Sequence, residues 1–434
     1  MTVSTAAVRW PDITASPRAP LAATVARMLF ERAIGQIPVR VTYPDGREIE
    51  RGVPNSPNSP NSPDLGDATP GFEVVRPGAF FARLGRDSKI GFGEAYMAGD
   101  WRASPGTDLA DLLTPFSAKL ASLVPEPLQR LRTIVDKRIP TNQENTLDGS
   151  RENISAHYDL SNDLFATFLD PTMSYSAAWF DENESANETA TTNVFEAAQL
   201  RKIDGVLDYA GVGPRTRLLE IGTGWGALAI RAAQRGAQVT TVTISAEQLA
   251  FAAERVAEAG LSDRVDLRLQ DYREVEGEFD AIVSVEMIEA VGEAYWPTYF
   301  ATIDRLLAPG GKVSIQAITM AHARVLATKR SFSWIQKYIF PGGIIPSLQS
   351  IDETLAAHTT LRVTQRRELG AHYARTLHLW RERFTEQWPQ IHQLGFDETF
   401  RRMWEFYLAY CEAGFRSGYL GVSQLQMTRE PVWT

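Results

Sequence analysis

Three glycines follow an acidic residue in the segment "LLEIGTGWGAL", which runs from Leu218 to Leu228. The apolar run "RLLEI" holds Glu220 near its end, and Gly222, Gly224 and Gly226 come next, before a second apolar segment. A strand, a glycine turn and a helix in this order let the backbone approach a ligand closely, and a carboxylate there suits a cationic or hydroxyl-bearing ligand. The pattern predicts a site for a nucleotide-like cofactor.

Two cofactor classes fit this turn. The glycines together with Ala227 satisfy the G-x-G-x-x-G/A pattern of dinucleotide sites, so a nicotinamide oxidoreductase is one alternative. A dinucleotide site expects an acidic residue at the end of the second strand, but that strand ends "TVTIS" and the next carboxylate is Glu247. S-adenosylmethionine has no pyrophosphate, and its cationic groups would be attracted by the carboxylate of Glu220. Asp271, which follows the third strand, could accept a hydrogen bond from the amino group of its adenine. We favour S-adenosylmethionine; a turn that only packs helix on strand is the structural alternative.

Alternating strands and helices must position this turn. Five segments predict strands: "RLLEI", "QVTTVTI", "VDLRLQ", "FDAIVSVEM" and "GGKVSIQAITM". The segments "ALAIRAAQRG" and "AEQLAFAAERVAEAG" predict helices, the second capped by Ser245. This alternation predicts an α/β fold with a doubly wound parallel sheet, whose ligands bind at the carboxyl ends of the strands.

Composition limits the class of protein. With 434 residues, 44% of them hydrophobic, the chain exceeds the size at which single cores divide, so two domains are expected. The net charge of -9 argues against a nucleic-acid partner. The single cysteine, Cys411, excludes an intrachain disulfide and a cysteine-based metal site, and we predict no metal. The N-terminus has no signal-peptide pattern and no apolar run is long enough to span a bilayer, and we predict a cytoplasmic protein that is peripherally associated with the inner face of the membrane.

The predicted domains are unequal. Residues 1–18 and residues 53–68, which contain the repeat "VPNSPNSPNSP", are predicted to be disordered. A smaller α+β domain is predicted over residues 19–145, with a hairpin in "IPVRVTYPDGREIE", and a catalytic domain over residues 146–434. The basic cluster within residues 130–138 could contact lipid headgroups or be an ordinary exposed helix face. The segment "HARVLATKRSFSWIQKYIFPGGIIPS" is either an interfacial helix that contacts lipid or a helical cover packed on the sheet.

A family resemblance is carried by long segments. "HYDLSNDLFATFLDPTMSYSAAWF", "EAAQLRKIDGVLDYAGVGPRTRLLEIGTGWGALAI", "VEMIEAVGEAYWPTYF" and "HYARTLHLW" resemble the cyclopropane-fatty-acid synthase family of methyltransferases, including its mycolic-acid-modifying branch. "GFGEAYMAGDW" is similar to the longer members that act on phospholipids. The resemblance implies a class I methyltransferase with a Rossmann-like sheet, S-adenosylmethionine as cofactor, and the cis double bond of a phospholipid acyl chain as substrate.

The resemblance also implies site residues. The cofactor would be contacted by Tyr175, Ser176, Glu220, Gly222, Gly224, Trp225, Gly226, Thr243, Gln248, Asp271 and Tyr272. Family members hold a bicarbonate ion as the proposed general base; the matching positions are Ala177 and Ile318 through their backbones, Glu289, Gln316 and Tyr373. Most members have cysteine at position 177 and histidine at positions 290 and 316. Glutamine at 316 can hydrogen-bond an anion but cannot carry a proton at neutral pH.

The product follows from the fate of a carbocation. Methyl transfer to an alkene needs a dry pocket and a base near the transferred carbon. Proton loss with ring closure gives a cyclopropane, whereas a hydride shift followed by proton loss gives an exocyclic methylene. "QAITM" and "KYIFPGG" resemble the methylene-forming branch, which prepares 10-methyl-branched chains of the tuberculostearic type.

We therefore predict conversion of oleoyl to 10-methylenestearoyl lipid, with a reductase partner acting on the product and homo-oligomers of the chain as further expectations. A cyclopropane synthase is the alternative within the family. A nicotinamide oxidoreductase and a non-catalytic lipid-binding paralogue are the alternatives outside it.

Overall fold

The computed structural model describes residues 13, 20–50, 69–119, 161–181, 192–329 and 331–429. The loop predicted to be disordered, nearly all of residues 1–18 and the basic cluster within 130–138 lie outside the described residues. The chain forms two compact units. The first comprises Met1–Arg138, Ser331–Ile339 and Trp380–Tyr419, and the second comprises Ile139–Arg330, Phe340–Leu379 and Leu420–Thr434. Two late segments that the sequence assigned to the catalytic domain thus join the first unit.

The first unit combines a small sheet with helices. Its strands are β1 (Arg40–Thr42), β2 (Glu48–Glu50), β3 (Gly71–Val74) and β4 (Trp101–Ala103), in the order β2-β1-β3-β4. Strands β1 and β2 pair antiparallel, which confirms the predicted hairpin. The helices are α1 (Pro20–Ile34), α2 (Pro77–Arg86), α3 (Ser88–Ala98), α4 (Leu109–Lys119), α12 (Trp334–Tyr338), α15 (Trp388–Gln393) and α16 (Glu398–Arg416). Aromatic side chains form the core, where Phe72 stacks on Trp101 with ring centroids 4.5 Å apart.

The second unit is built on a seven-stranded sheet. Its strands are β5 (Arg217–Ile221), β6 (Gln238–Thr243), β7 (Val265–Leu269), β8 (Phe279–Val285), β9 (Leu307–Met320), β10 (Leu361–Glu368) and β11 (Leu420–Arg429). The order is β10-β11-β9-β8-β5-β6-β7. The five predicted strands are the parallel ones, β5 to β9. Two further strands extend this parallel sheet at one edge, where β11 pairs antiparallel with β9 and β10 pairs antiparallel with β11.

Helices flank this sheet in the sequence, as the predicted alternation requires. They are α5 (Asn162–Phe168), α6 (Thr192–Ala210), α7 (Ala227–Gln234), α8 (Ala246–Glu258), α9 (Ile288–Val291), α10 (Trp296–Leu306), α11 (His322–Thr328), α13 (Leu348–His358) and the start of α14 (Gly370–Glu386). Alternate residues of β5 belong to different apolar clusters: Leu219 packs in one with residues of α10, and Leu218 packs in the other with residues of α6 and α7. Burial on both faces explains why β5 reads as a continuous apolar run.

The predicted interfacial segment, residues 322–347, is not one helix but contains the short helices α11 and α12. Trp334 is buried, and a Cβ at Gly93 would lie 2.6 Å from its ring. Lys337 donates to Glu94 over 2.6 Å. The interfacial interpretation is therefore wrong for Trp334 and Lys337, which pack within the first unit. Among the described residues, we find no helix with the length and hydropathy needed to span a bilayer.

Candidate active site

The glycine turn after β5 has the backbone that its sequence predicts. Gly222, Gly224 and Gly226 have φ values of +99°, +51° and +88°, and L side chains are disfavoured in that region. A Cβ at Gly222 would lie 2.6 Å from Cγ of Met287, so both conformation and space require glycine there. A Cβ at Gly226 would lie 3.1 Å from Cβ of Ala252 in α8, so this glycine lets the turn approach α8 closely.

A pocket lies at the carboxyl ends of β5, β6 and β8. Ten of the eleven residues predicted to contact the cofactor line it: Tyr175, Ser176, Glu220, Gly222, Gly224, Trp225, Thr243, Gln248, Asp271 and Tyr272. Gly226 does not line the pocket, and instead it lets the turn approach α8. The position of the pocket agrees with the rule that ligands of open α/β sheets bind beyond the carboxyl ends of the strands.

Several pocket side chains are held by local hydrogen bonds. The side chain of Ser245 caps α8 by accepting from the amide of Gln248 over 3.2 Å, as predicted, and Thr243 Oγ1 donates to Gln248 Oε1 over 3.3 Å. Asp271 is paired with Arg273, whose Nε and Nη2 lie 2.8 and 2.7 Å from the two carboxylate oxygens. The predicted contact between Asp271 and adenine stays a prediction, and it would use the remaining lone pairs of a carboxylate already engaged in an ion pair.

Glu220 is a buried carboxyl at the end of β5. It is 3% exposed and accepts a 2.6 Å hydrogen bond from Thr241 Oγ1. Burial raises its pKa to about 8, although the bond from Thr241 and the charge of Lys202 oppose that rise. The carboxyl is therefore protonated in the free protein at neutral pH, and a cationic ligand in the pocket would favour its ionised form.

The sequence interpretation missed Glu286, which links the pocket to the predicted catalytic residues. Glu286 follows β8 directly and lines the pocket with a φ of +50°, a conformation rare for residues other than glycine and a mark of functional sites. Its Oε1 accepts from the Ala177 amide over 3.0 Å and from Gln316 Nε2 over 2.8 Å. Its Oε2 accepts from the Tyr373 hydroxyl over 2.9 Å. An acidic residue at a strand's carboxyl end was the only available signal.

The charge state of Glu286 reflects opposing effects. Burial raises its pKa above the ordinary 4.5, while the amide of Ala177, the side chain of Gln316, the charge of Lys202 and the hydroxyl of Tyr373 oppose the rise. Lys202 is 2% exposed and donates to Ser176 Oγ over 2.6 Å. Burial lowers the pKa of Lys202 to about 8, against the attraction of nearby carboxylates. The result is a carboxylate held by neutral donors, with more basicity than an exposed one.

Glu289, the predicted base or anchor of the base, is placed differently. Its Oε1 accepts from the amide of Ile318, and its buried Oε2 has no hydrogen-bond partner among the described residues. Burial raises the pKa of Glu289 to about 8, and repulsion from Glu286 adds to this. Glu286 lines the pocket and Glu289 does not, so Glu289 is less well placed to remove a proton from a ligand there.

The five positions predicted to hold bicarbonate thus divide into two sets. Ala177, Gln316 and Tyr373 already bind the carboxylate of Glu286, and Ile318 binds Glu289. A bicarbonate ion at these donors would have to displace Glu286 and would meet its negative charge. The residues present therefore do not fit bicarbonate. Among the described residues, no cluster of three or more His, Cys, Asp or Glu side chains is arranged to hold a metal ion.

Comparison with known proteins gives consistent relatives. Residues 145–425 match the model of the mycolic acid cyclopropane synthetase family. The chain is 49% identical over 425 residues to a tuberculostearic acid methyltransferase of Mycobacterium tuberculosis, covering 97% of this chain and 96% of the relative. It is 34% identical over 378 residues to the cyclopropane-fatty-acyl-phospholipid synthase of Escherichia coli, covering 84% and 89%.

Solved structures agree. The cyclopropane synthase MmaA2 of Mycobacterium tuberculosis superposes with a TM-score of 0.58 at 32% identity, covering 64% of this chain and 97% of that one. A mycolic acid cyclopropane synthase solved with SAH and CTAB gives a TM-score of 0.57 at 32% identity, with the same coverage. These matches confirm the predicted α/β class I methyltransferase fold and the predicted class of enzyme. The chain belongs to the mycolic acid cyclopropane synthetase family.

Proposed function

We propose that this enzyme methylates the cis double bond of an unsaturated acyl chain in a phospholipid and converts oleoyl to 10-methylenestearoyl lipid. The observation that carries the proposal is the carboxylate of Glu286, held at the pocket by three hydrogen-bond donors. The choice of product is supported by the relatives. Identity to the tuberculostearic acid methyltransferase is 49% over nearly the whole chain, against 34% to the cyclopropane-fatty-acyl-phospholipid synthase.

The pocket suits S-adenosylmethionine, which when bound supplies an electrophilic methyl group. The position that a Cβ would occupy at Gly224 has no atom within 4 Å, so the turn leaves room for a ligand against its backbone. Glu220 is protonated until a cation approaches, and it would bind the cationic end of this cofactor in its ionised form. A related structure holds SAH, which supports the same cofactor class here.

Glu286 is the proposed base, in place of bicarbonate. Addition of the methyl group to the alkene leaves a carbocation on the acyl chain. A hydride shift moves the positive charge to the methylated carbon, and Glu286 then removes a proton from the added methyl, so that this C–H electron pair forms the exocyclic double bond. The raised pKa of Glu286 favours this proton transfer, and Tyr373 and Gln316 orient its two oxygens.

The methylene product implies a later reduction. Converting an exocyclic methylene to a methyl branch consumes a hydride and a proton, which methyl transfer does not supply. We therefore infer that a separate reductase consumes the product. The substrate acyl chain lies in a lipid bilayer. The proposal therefore also implies that the enzyme contacts the membrane surface.

The experiment is a product analysis with defined lipid. The purified protein is incubated with vesicles of dioleoyl phospholipid and methyl-labelled S-adenosylmethionine, and the extracted lipid is examined by mass spectrometry and proton NMR. Label in the lipid with vinylidene protons supports the proposal. Upfield ring protons would show a cyclopropane synthase, and unlabelled lipid with nicotinamide bound in the pocket would show an oxidoreductase.

A further inference from the structure

Behind Glu286, a line of amide side chains runs back from the pocket through the second unit. Gln316 on β9 and Gln424 on β11 are register partners in the antiparallel pair. Gln424 Nε2 donates to Gln316 Oε1 over 3.1 Å, and Gln316 Nε2 donates to Glu286 Oε1 over 2.8 Å. Both glutamines are about 1% exposed or less, so water does not compete for these bonds.

The far end of this line is fixed by a group that can only donate. Arg367 Nη1 donates to Gln424 Oε1 over 2.8 Å, and its guanidinium lies over the rings of Trp179 and Tyr209, at 4.1 and 4.6 Å from their centroids. Gly205 leaves the space for this arrangement, because a Cβ there would lie 2.6 Å from Arg367 Nη1 and 2.8 Å from Gln424 Oε1.

Only one orientation of the two amides satisfies these bonds. The oxygen of Gln424 must face Arg367, so its nitrogen faces Gln316 and the carbonyl oxygen of Lys202, which lies 3.0 Å away. The oxygen of Gln316 must then face Gln424, so its nitrogen faces Glu286 and the carbonyl of Ala177. The orientation is fixed because a guanidinium can only donate hydrogen bonds and a backbone carbonyl can only accept them.

We propose that Gln424 is a positioning residue, which with Arg367 fixes the amide of Gln316 so that it always presents a donor to the carboxylate of Glu286. This inference rests on the proposed role of Glu286 as base. It explains how a glutamine serves at position 316 without carrying a proton: its task is to hold the carboxylate in place and in its ionised form. The other titratable groups that face Glu286 are Lys202 of α6, Glu289 of α9 and Tyr373 of α14.

The decisive variant is Gln424→Glu. A carboxylate at 424 accepts from both Arg367 and Gln316, which turns the Gln316 amide around and directs its oxygen at Glu286. The protonated form of Glu286 is then favoured. In the labelled-methyl assay, we expect the acidic limb of the kcat profile to move up by at least one pH unit, with at least tenfold lower kcat below it and an unchanged KM for phospholipid.

The matched control is Gln426→Glu, two residues along the same strand. Gln426 is similarly buried but bonds Thr364 and the Tyr209 carbonyl, away from Gln316. This variant adds the same charge and is expected to leave the acidic limb in place. Equal movement of the limb in both variants would assign the effect to charge in the sheet and overturn the proposal.

A second variant tests geometry without a new charge. Gly205→Ala places a Cβ against Arg367 and Gln424, and a smaller movement of the acidic limb in the same direction is expected. Infrared difference spectra of the Glu286 carboxyl, identified by its loss in Glu286→Gln, follow the same titration without turnover. An unmoved titration in both Gln424→Glu and Gly205→Ala overturns the proposal. Failure of the wild-type protein to methylate lipid would instead overturn the proposed function.

Discussion

Each unit contains a buried carboxylate, and the two are held in opposite ways. In the second unit, Glu286 accepts from an amide, a glutamine and a tyrosine, all neutral. In the first unit, Glu412 is fully buried and bonds the guanidinium of Arg381, which also bonds Asp108. Neutral donors hold a carboxylate while leaving it basic, whereas a guanidinium neutralises it.

The pKa values of Glu286 and of Asp108, the other partner of Arg381, move in opposite directions. Burial raises the pKa of Glu286, and its donors only partly oppose the rise. Burial also acts to raise the pKa of Asp108, but the charge and hydrogen bonds of Arg381, together with the amides of Asp111 and Ala110, outweigh it, so the pKa falls below the ordinary value. A carboxylate with a lowered pKa is a weak base. The first kind of site is therefore suited to proton removal, and the second to holding chain segments together.

Replacement of the proposed base should give the largest effect. Glu286→Gln removes the group that accepts the proton, so kcat for lipid methylation should fall by about 10²–10⁴-fold, the usual contribution of a general base. Binding of SAH, measured by isothermal titration, should persist, because the glycine turn and Glu220 are unchanged. The matched replacement in the other unit, Asp108→Asn, should leave kcat within a few-fold. Near-normal kcat in Glu286→Gln would end the proposed role of this residue.

Loss of the arginine in the first unit should act on stability instead. Arg381→Met removes the guanidinium that bonds the buried carboxylate of Glu412, although Arg416 still bonds it. Breaking a buried ion pair on one side costs about 3–5 kcal/mol, so the free energy of unfolding in urea should fall by that order. The pH at half-maximal activity should not move, since the bonds that define the role of Arg381 go to Asp108 and Glu412 in the first unit. A stable variant with an altered pH profile would contradict the division of roles.

The sequence predicted the local features of the site well. The glycine turn, strands β5 to β9 and the Ser245 cap all depend on residues close together in the chain, where periodicity and turn chemistry give a direct signal. The confirmed family resemblance likewise rests on long continuous segments.

What the sequence did not predict is non-local. Glu286 becomes a site residue because Ala177, Gln316 and Tyr373 reach it from positions between 30 and 109 residues away. The antiparallel strands β10 and β11, which bring Gln424 to Gln316, likewise have no signal in the alternation of strands and helices. The sequence pointed to Glu289 because this carboxyl lies in the family segment "VEMIEAVGEAYWPTYF". Only the three-dimensional structure shows that its oxygen accepts from the Ile318 amide.

A further predicted effect is a pH dependence of stability that separates Glu289 from Glu286. The pKa of Glu289 is about 8 in the folded protein and 4.5 ordinarily, so the folded state binds more protons between these values. The stabilisation from this group is complete below about pH 4.5 and is lost as the pH rises towards 8, at up to about 1.4 kcal/mol per pH unit. Glu220 adds a similar slope because burial raises its pKa likewise.

Glu289→Gln imitates the protonated carboxyl, so urea unfolding between pH 5 and 8 should show a shallower decline of stability than in the wild type. Part of the decline that remains belongs to Glu220 and Glu286, because burial raises the pKa values of both. The control Glu293→Gln changes a carboxylate that is 40% exposed and paired with Lys329, and it should leave the slope as it is. A slope unchanged in Glu289→Gln would mean that Glu289 ionises in the folded protein. Two adjacent carboxylates would then be available as bases, and the contrast between a neutral-donor site and an ion-paired one would no longer single out Glu286.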